Sequence, residues 1–286
     1  MLILETARLI LRPFQDADLE AFASYRSDPQ VAAYQGWEAP YSLEQAKEFI
    51  ETMKNTQPGE PGKWYQLALE QKSNTRMIGD VAFCILSNDP RQAEIGITLA
   101  AAYQGKGYAG EALERLLEYL FNDMNLHRVR ANCDLENRAS SHMLENLGFR
   151  QEGVWIESLW FKGRWSSELW YAMLQREWHS RWLIIFEDEL RQAQAARQAG
   201  NEGKARVCAR RAAGIAVGEY FRRKGIASPG VSAYDRLRAL IQMSELPPGA
   251  AELASHLLLK VNERYQLPIP ADLAEDARQL AKILLD

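Results

Sequence analysis

The chain has 286 residues and a net charge of −4 at pH 7, and 47% of its residues are hydrophobic against 25% charged. This length and composition are typical of a folded globular protein, and the lack of an apolar run of roughly 18 residues argues against a membrane span. Arg8 and Arg12 come too early for a signal peptide, and three cysteines without metal-ligand spacing argue against a zinc site. We therefore expect a soluble, cytoplasmic protein that needs no metal.

The charge is unevenly distributed along the chain. The acidic excess lies in the first 179 residues, whereas the rest of the chain carries a small basic excess. Such a change is typical of two units with different surroundings. We predict two domains, over residues 1–178 and 179–286.

Residues 1–178 alternate between strand and helix patterns. Apolar alternation predicts an opening strand over residues 2–14, after which Asp16 is placed to cap a helix. Ser42 and Gln45 form a capping box for the next helix. Three strands follow, in the stretches KWYQLALE, RMIGDVAFCIL and QAEIGITL. After a glycine-rich loop come a helix EALERLLEYLF, a strand HRVRANCDL, a helix NRASSHMLENL and two strands separated by FKGRWSS.

The pattern changes after residue 176, where no strand signal remains. Apolar residues at helical spacing predict four or five helices. Gly200 and Gly225 end the first two, a third covers residues 232–246, and two more cover residues 250–265 and 271–285. The sequence therefore predicts an α/β domain followed by an all-α helical bundle.

The loop YQGKGYAG, residues 103–110, contains three glycines and no acid and leads directly into a helix. Free N–H groups and the positive dipole end of a first helical turn form an anion site. Gly105 and Gly107 leave room for a phosphate, and Lys106 adds a positive charge. The alternative is an ordinary turn between a strand and a helix. Neither a Walker loop nor a GxGxxG fingerprint is present.

The same loop matches the pattern Gln-x-x-Gly-x-Ala over Gln104–Ala109. With it, the sequence resembles the GNAT superfamily of acetyl-CoA-dependent N-acetyltransferases. Further stretches resemble the branch typified by the ribosomal-protein acetyltransferases RimJ and RimL, namely ETARLILRPF, AEIGITL, LENRASSHMLENLGF and KGRW, in the expected order. The resemblance covers residues 1–178.

This resemblance implies an α+β fold of GNAT type, with a mixed, largely antiparallel sheet flanked by helices. It also implies that the strand AEIGITL splays away from HRVRANCDL and that the pantetheine arm of acetyl-CoA lies in the slot like an added strand. The diphosphate would then rest on the glycine loop. The implied cofactor-binding residues are Ile97, Leu99, Gln104, Gly105, Lys106, Gly107, Tyr108, Ala109 and Asn137.

Catalytic roles follow less directly from the resemblance. Glu94 lies where some members hold a base that acts through water, although a solvated acid at a strand end is equally compatible. Asn137 suits both a cofactor contact and a helix cap. Many members have a tyrosine seven residues after this asparagine that protonates the leaving thiolate as a general acid. Here that position is Leu144. Ser140 or Ser141 is the alternative acid, and direct protonation of the leaving thiolate by water is another.

The acceptor is expected to be a primary amine that contacts Tyr34 and Trp37, which lie where relatives line the acceptor pocket. A protein α-amino group, with a pKa near 7.7–8.0, needs less help from a base than a lysine amine near 10.4. We therefore place an α-amine slightly ahead of a small-molecule amine. The rival hypothesis is a regulatory protein that senses acyl-CoA and engages a protein or RNA partner through its helical domain.

The segment 204–224 carries seven basic residues against one acid. It is interpreted first as a solvated helix face and second as a surface for RNA, the ribosome or an acidic partner. A homodimer is compatible with the sequence, and no membrane partner is expected.

Overall fold

The computed structural model of the chain describes residues 2–226, 232–262 and 267–286. The chain divides into two compact units, Met1–Trp178 and His179–Asp286. The first combines a sheet with helices, and the second is helical in its described part. Within the described ranges, we find no helix whose length and apolarity would let it span a bilayer.

The first unit is built on one eight-stranded sheet. Its strands are β1 (Leu4–Glu5), β2 (Leu9–Arg12), β3 (Trp64–Gln71), β4 (Arg76–Ile85), β5 (Gln92–Leu99), β6 (Arg128–Asp134), β7 (Arg150–Phe161) and β8 (Arg164–Leu174). The spatial order is β1-β2-β3-β4-β5-β6-β8-β7. Only β5 and β6 are parallel to each other among these neighbours. The predicted mixed, largely antiparallel sheet is confirmed.

Helices cover both faces of this sheet. They are α1 (Leu19–Arg26), α2 (Pro29–Ala32), α3 (Leu43–Asn55), α4 (Tyr108–Glu118) and α5 (Arg138–Asn146). The leucine stripe of α4 packs with α5 on one face, in a core with the inward side chains of the strands. Phe22 of α1 and Ile50 of α3 belong to the core on the opposite face. The central strands are therefore covered on both sides, whereas β7 is largely exposed.

The start of α3 has the local structure that its sequence predicts. The Ser42 hydroxyl accepts from the Gln45 N–H at 3.1 Å, and the Gln45 side chain accepts from the Ser42 N–H at 2.8 Å. Both bonds satisfy N–H groups that the first helical turn leaves free. The predicted capping box is confirmed.

The predicted cap at Asp16 is wrong. This residue lies in a single 3₁₀ turn before α1, and its carboxylate points outward to Lys54. Asp18 is the residue directly before α1, and its carboxylate caps no N–H of that helix; it accepts from the Gln15 N–H at 2.8 Å and binds both terminal nitrogens of Arg12. The buried ion pair with Arg12 thus holds Asp18 at the start of the helix.

Two connections differ from the predicted ones. The opening strand is interrupted after Glu5, because the Thr6 N–H donates to the Leu9 carbonyl at 3.0 Å and closes a turn. At the other end of the unit, the predicted loop FKGRWSS is a two-residue turn. Lys162 and Gly163 both have positive φ, of 48° and 79°, so the hairpin closes tightly and Arg164 already belongs to β8.

The parallel strands β5 and β6 pair only over a short stretch. Their register joins Gln92 to Arg128, Ala93 to Val129 and Glu94 to Arg130. Beyond these pairs β5 continues along β4, and β6 continues along β8. The two strands therefore separate within the sheet, as the family resemblance implies.

The second unit consists of packed helices. They are α6 (Gln175–Gln198), whose first turn belongs to the first unit, α7 (Glu202–Arg223), α8 (Ala233–Ile241), α9 (Ala250–Leu258) and α10 (Leu273–Leu285). α7 contacts α8, α9 and α10, and Gly214 allows close approach because a Cβ there would collide with Ala233. Two helices end earlier than predicted, at Ile241 and Leu258. The predicted helical residues 263–265 lie outside the described residues.

Several basic side chains of α7 make contacts within the second unit. Arg210 donates to the carbonyls of Leu257, at 2.7 Å, and Leu259, at 2.5 Å, which lie at the end of α9. Arg222 and Arg223 both pair with the buried carboxylate of Glu219. These three guanidinium groups therefore have partners within the second unit.

Two glycines on neighbouring strands provide a matched stability test. A Cβ at Gly79 would collide with the Thr98 carbonyl oxygen, whereas a Cβ at Gly96 meets no atom within 4 Å. We expect Gly79→Ala to lower the free energy of unfolding by about 1–3 kcal/mol and Gly96→Ala to change it little. Urea unfolding followed by tryptophan fluorescence measures this, since seven of the eight tryptophans precede residue 179. Equal midpoints for the two variants would contradict the packing described.

Candidate active site

Two cavities adjoin where β5 and β6 separate. The first, of about 500 Å³, lies on the sheet face that α1 covers. The second, of about 630 Å³, lies beside the glycine loop. Their shared lining residues include Tyr34, Ile97, Thr98, Asn137, Ser140 and Met143. The separated strands thus connect the two faces of the sheet.

The glycine loop places unpaired N–H groups at the second cavity. Gly105 and Gly107 have positive φ, of 71° and 79°, and Gly107 is the N-cap of α4. The first helical bond runs from the Glu111 N–H to the Gly107 carbonyl, at 3.2 Å. The N–H groups of Tyr108 and Ala109 precede it and bond to no described group of the chain. This end of α4 can therefore receive an anion.

Side-chain hydrogen bonds hold the loop in place. Gln104 donates to the Leu99 carbonyl at 3.0 Å, and Arg8 donates to the Lys106 carbonyl at 3.0 Å and to Glu111 at 2.6 Å. Arg8 did not stand out in the sequence, although it lies within the stretch ETARLILRPF that carried the family resemblance. A Cβ at Gly107 would lie 3.4 Å from this guanidinium, so glycine is favoured there mainly by its positive φ of 79°.

Two side chains of the loop have partners elsewhere in the chain. The Lys106 ammonium donates to the Ala102 carbonyl at 2.7 Å and does not line either cavity. The Tyr108 ring is buried, and its hydroxyl accepts from Gln71 at 2.5 Å. The Lys106 charge is therefore directed away from the second cavity, and the hydroxyl of Tyr108 is engaged by Gln71.

The main chain of β5 is exposed to the opening in the sheet. At one end of β5, the N–H of the following residue Ala100 donates to the Ile78 carbonyl at 2.9 Å. At the other end, the Gln92 carbonyl accepts from the Leu86 N–H, also at 2.9 Å. Since antiparallel bonding alternates, the even-numbered residues of β5 pair with β4. The N–H and C=O groups of Ile97 and Leu99, which lie beyond the last pair with β6, are therefore directed toward the gap. This places Ile97 and Leu99 where the sequence analysis expects them.

Asn137 and Ser140 lie on the opposite side of the opening from β5. Asn137 caps α5 through its side-chain oxygen, which accepts from the Ser140 N–H at 3.2 Å, and both residues line both cavities. Ser141 lines neither cavity, and its hydroxyl donates to the Arg138 carbonyl at 3.1 Å. The helical turn of α5 thus places Ser140 at the opening and Ser141 away from it.

The first cavity is acidic. Four carboxylates and one guanidinium line it, those of Asp80, Glu94, Asp134, Glu168 and Arg26. Glu94 shares its Oε2 with Arg130 at 2.8 Å, while its Oε1 bonds to no described group. Glu168 is held by neutral donors, Asn132 at 2.6 Å and Ser158 at 3.2 Å. A cationic ligand is therefore favoured in this cavity over an anionic one.

Asp80 and Arg26 were missed in the sequence analysis. Asp80 is 3% exposed, accepts a hydrogen bond from the Tyr25 hydroxyl and lies 3.8 Å from the Arg26 guanidinium. Burial raises the pKa of Asp80, and Arg26 and the Tyr25 hydrogen bond oppose this shift. One signal was available, since Asp80 is the single acid within the apolar stretch MIGDVAFCIL.

Tyr34 and Trp37 form part of the cavity wall. Tyr34 lines both cavities and Trp37 lines the first, where its indole N–H donates to the Arg26 carbonyl at 3.0 Å. The ammonium of Lys162, at the tip of the β7–β8 hairpin, donates to the carbonyls of Ala32 and Trp37 at 2.8 and 2.7 Å. The hairpin tip is thereby fastened to the segment that carries the predicted acceptor residues.

Comparison with known proteins agrees with this architecture. A family model described as an acetyltransferase (GNAT) domain matches residues 8–150. The uncharacterized N-acetyltransferase YnaD of Bacillus subtilis (strain 168) is 34% identical over 174 residues, which are 61% of this chain and 98% of YnaD.

The chain belongs to the GNAT acetyltransferase family. Enzymes of this family are N-acetyltransferases that use acetyl-CoA, and the family match ends before the second unit.

Two characterised relatives carry different acceptors in their names. The ribosomal protein uS5-alanine N-acetyltransferase of Escherichia coli (strain K12) is 25% identical over 189 residues, covering 61% of this chain and 92% of that protein. The spermidine N-acetyltransferase structure from Vibrio cholerae, in complex with CoA and spermine, is 26% identical, with a TM-score of 0.53 over 60% of this chain and 99% of that one. The resemblance to the ribosomal-protein branch is confirmed, but membership of the family does not select the acceptor.

Proposed function

We propose that this GNAT enzyme transfers the acetyl group of acetyl-CoA to a primary amine that enters the carboxylate-lined first cavity. One observation carries the proposal: unpaired N–H groups and an acidic cavity lie on opposite sides of a single opening between β5 and β6. An anionic donor and a cationic acceptor therefore have separate entrances that meet at the opening.

The second cavity is the proposed donor site. The diphosphate of acetyl-CoA would accept hydrogen bonds from the main chain of Gly105–Ala109, at the positive end of α4. The pantetheine would follow β5 and exchange main-chain hydrogen bonds with Ile97 and Leu99, and Asn137 would offer its amide N–H from the other side. This route leads to the residues that both cavities share.

The first cavity is the proposed acceptor site. Its carboxylates would attract an ammonium group, and Tyr34 and Trp37 would contact the rest of the acceptor. Glu94 has one free carboxylate oxygen with which to accept a proton through water. Ser140 is placed to protonate the leaving thiolate, since it lines both cavities.

We infer a protein α-amine as the preferred acceptor and a small-molecule amine as the second. A larger fraction of an α-amine is neutral at pH 7 than of an alkylamine, and only the neutral form attacks a thioester. The names of the relatives include one acceptor of each kind, so both belong in the experiment. The three free thiols and the use of acetyl-CoA fit the expected cytoplasmic location.

Turnover tests the proposed function and separates it from the sensing hypothesis. Release of CoA would be followed with a thiol reagent against N-terminal peptides, polyamines and aminoglycosides. We expect turnover with one class, reduced in Glu94→Gln and in Asn137→Ala. A chain that binds acetyl-CoA and acetylates no member of the panel would favour acyl-CoA sensing, with the second unit engaging the partner.

Two glycines with the same backbone conformation test the donor site. Gly105 and Gly200 both have positive φ and open space where an alanine methyl group would lie, but only Gly105 lies at the second cavity. We expect Gly105→Ala to raise the Kd for acetyl-CoA about tenfold or more, because the methyl group occupies the phosphate position and α-helical N–H groups are displaced. Calorimetric titration measures it. Gly200→Ala carries the same strain, so an equal rise in both variants would refute the assignment.

Neighbouring serines test the proposed acid. Ser140→Ala should lower kcat by tenfold or more, while Ser141→Ala should leave it close to that of the wild type, because Ser141 lies outside both cavities. Steady-state kinetics with a saturating acceptor measures this difference. An unchanged kcat in Ser140→Ala would mean that water protonates the thiolate.

A further inference from the structure

Asp80 lies closer to the meeting point of the two cavities than Glu94 does. In the sheet register Asp80 of β4 is the direct partner of Thr98 of β5, and Thr98 lines both cavities. Glu94 lies four residues earlier on β5, which is about 13 Å along an extended strand. Cross-strand partners have Cβ atoms about 5 Å apart, so of these two carboxylates Asp80 lies nearer to Thr98.

The surroundings of Asp80 leave one of its oxygens for a ligand. Its Oδ2 accepts from the Tyr25 hydroxyl and lies 3.8 Å from Arg26, both of α1, whereas its Oδ1 bonds to no described group although the residue lines the first cavity. Arg26 in turn donates to Gln66 of β3 at 3.4 Å and lies against the ring of Trp37, at 4.0 Å. One oxygen is therefore anchored and the other is available.

The balance of charge around Asp80 differs from that around Glu94. Glu94 shares an oxygen directly with Arg130, at 2.8 Å. The Arg26 guanidinium stays farther from Asp80, and burial raises the pKa of the Asp80 carboxyl in spite of it. A carboxylate with a raised pKa accepts a proton more readily, which is the property that a base for an ammonium group requires.

We propose that Asp80, rather than Glu94, is the base that removes the proton from the acceptor's ammonium group, with Tyr25 holding the carboxylate in position. This assignment rests on the proposed function and deepens it. The ammonium gives one proton to the free oxygen of Asp80, and the neutral amine then attacks the thioester carbonyl carbon. The C–N bond forms, the C–S bond breaks, and a second amine proton ends on the CoA sulfur. Asp80 afterwards releases its proton to water, and Glu94 serves to attract the cation.

The pH dependence of two matched variants tests this proposal. Wild type, Asp80→Asn and Glu94→Gln would be compared from pH 6 to 9 with a peptide acceptor that the wild type acetylates. At the lowest pH we expect kcat/KM of Asp80→Asn to be about 100-fold below the wild type. The difference in kcat/KM between the wild type and Asp80→Asn should shrink about tenfold per pH unit, because the neutral fraction of the free amine rises about tenfold per unit. This trend should end near pH 8, the pKa of an α-amine. Glu94→Gln should show a smaller deficit that does not change with pH.

A second variant keeps the carboxylate and changes only its hydrogen bond. Tyr25→Phe removes a donor to the charged form, which raises the pKa of Asp80 further. The ionised fraction at low pH then falls, so the rising limb of the kcat/KM profile should move to higher pH while the plateau is retained. Acetyl-CoA affinity and thermal unfolding of each variant show whether its fold is intact.

The possible results distinguish a failure of the Asp80 assignment from a failure of the proposed function. An Asp80→Asn deficit that is the same at every pH, or a pH-dependent deficit in Glu94→Gln instead, would overturn the assignment and leave the proposed function standing. If Asp80→Asn does not fold, an unshifted profile in Tyr25→Phe would overturn it. A wild type that acetylates no amine would overturn the proposed function and this assignment together.

Discussion

Two neighbouring parallel strands stop pairing inside the sheet, and the site depends on that separation. β5 and β6 share pairs only as far as Glu94 and Arg130, so the next main-chain groups of β5 have no adjacent strand. Unpaired backbone groups in a protein interior cost free energy unless something replaces the missing partner. Here the gap joins two cavities, so the free main-chain groups of β5 are available for hydrogen bonds to an extended ligand.

Ion pairs at both ends of α1 set the position of this helix above the first cavity. Before the helix, Arg12 of β2 binds Asp18 and Glu70, and this pairing raises the pKa of the arginine. At the end of the helix, Arg26 lies near Asp80 and is surrounded by aromatic rings. Breaking a buried pair is costly because it leaves one charge without a partner. The helix that carries Tyr25 is thus held at a defined height above the sheet.

Features that depend on nearby residues could be predicted from the sequence, and those that depend on strand register could not. The capping box of Ser42 and the glycine loop require only a spacing of a few residues, and the order of strands and helices followed from periodicity and the family resemblance. Asp80 acquires its role from Tyr25, 55 residues away, and from the strand partner Thr98. Likewise, only the phase of α5 relative to the cavity distinguishes Ser140 from its neighbour.

The Lys162 bonds join segments that are 125 and 130 residues apart in the chain. The same hairpin supplies Leu159 and Glu168 to the first cavity and no residue to the second. A change in this hairpin therefore alters one side of the opening between β5 and β6 and leaves the lining of the other side as it is.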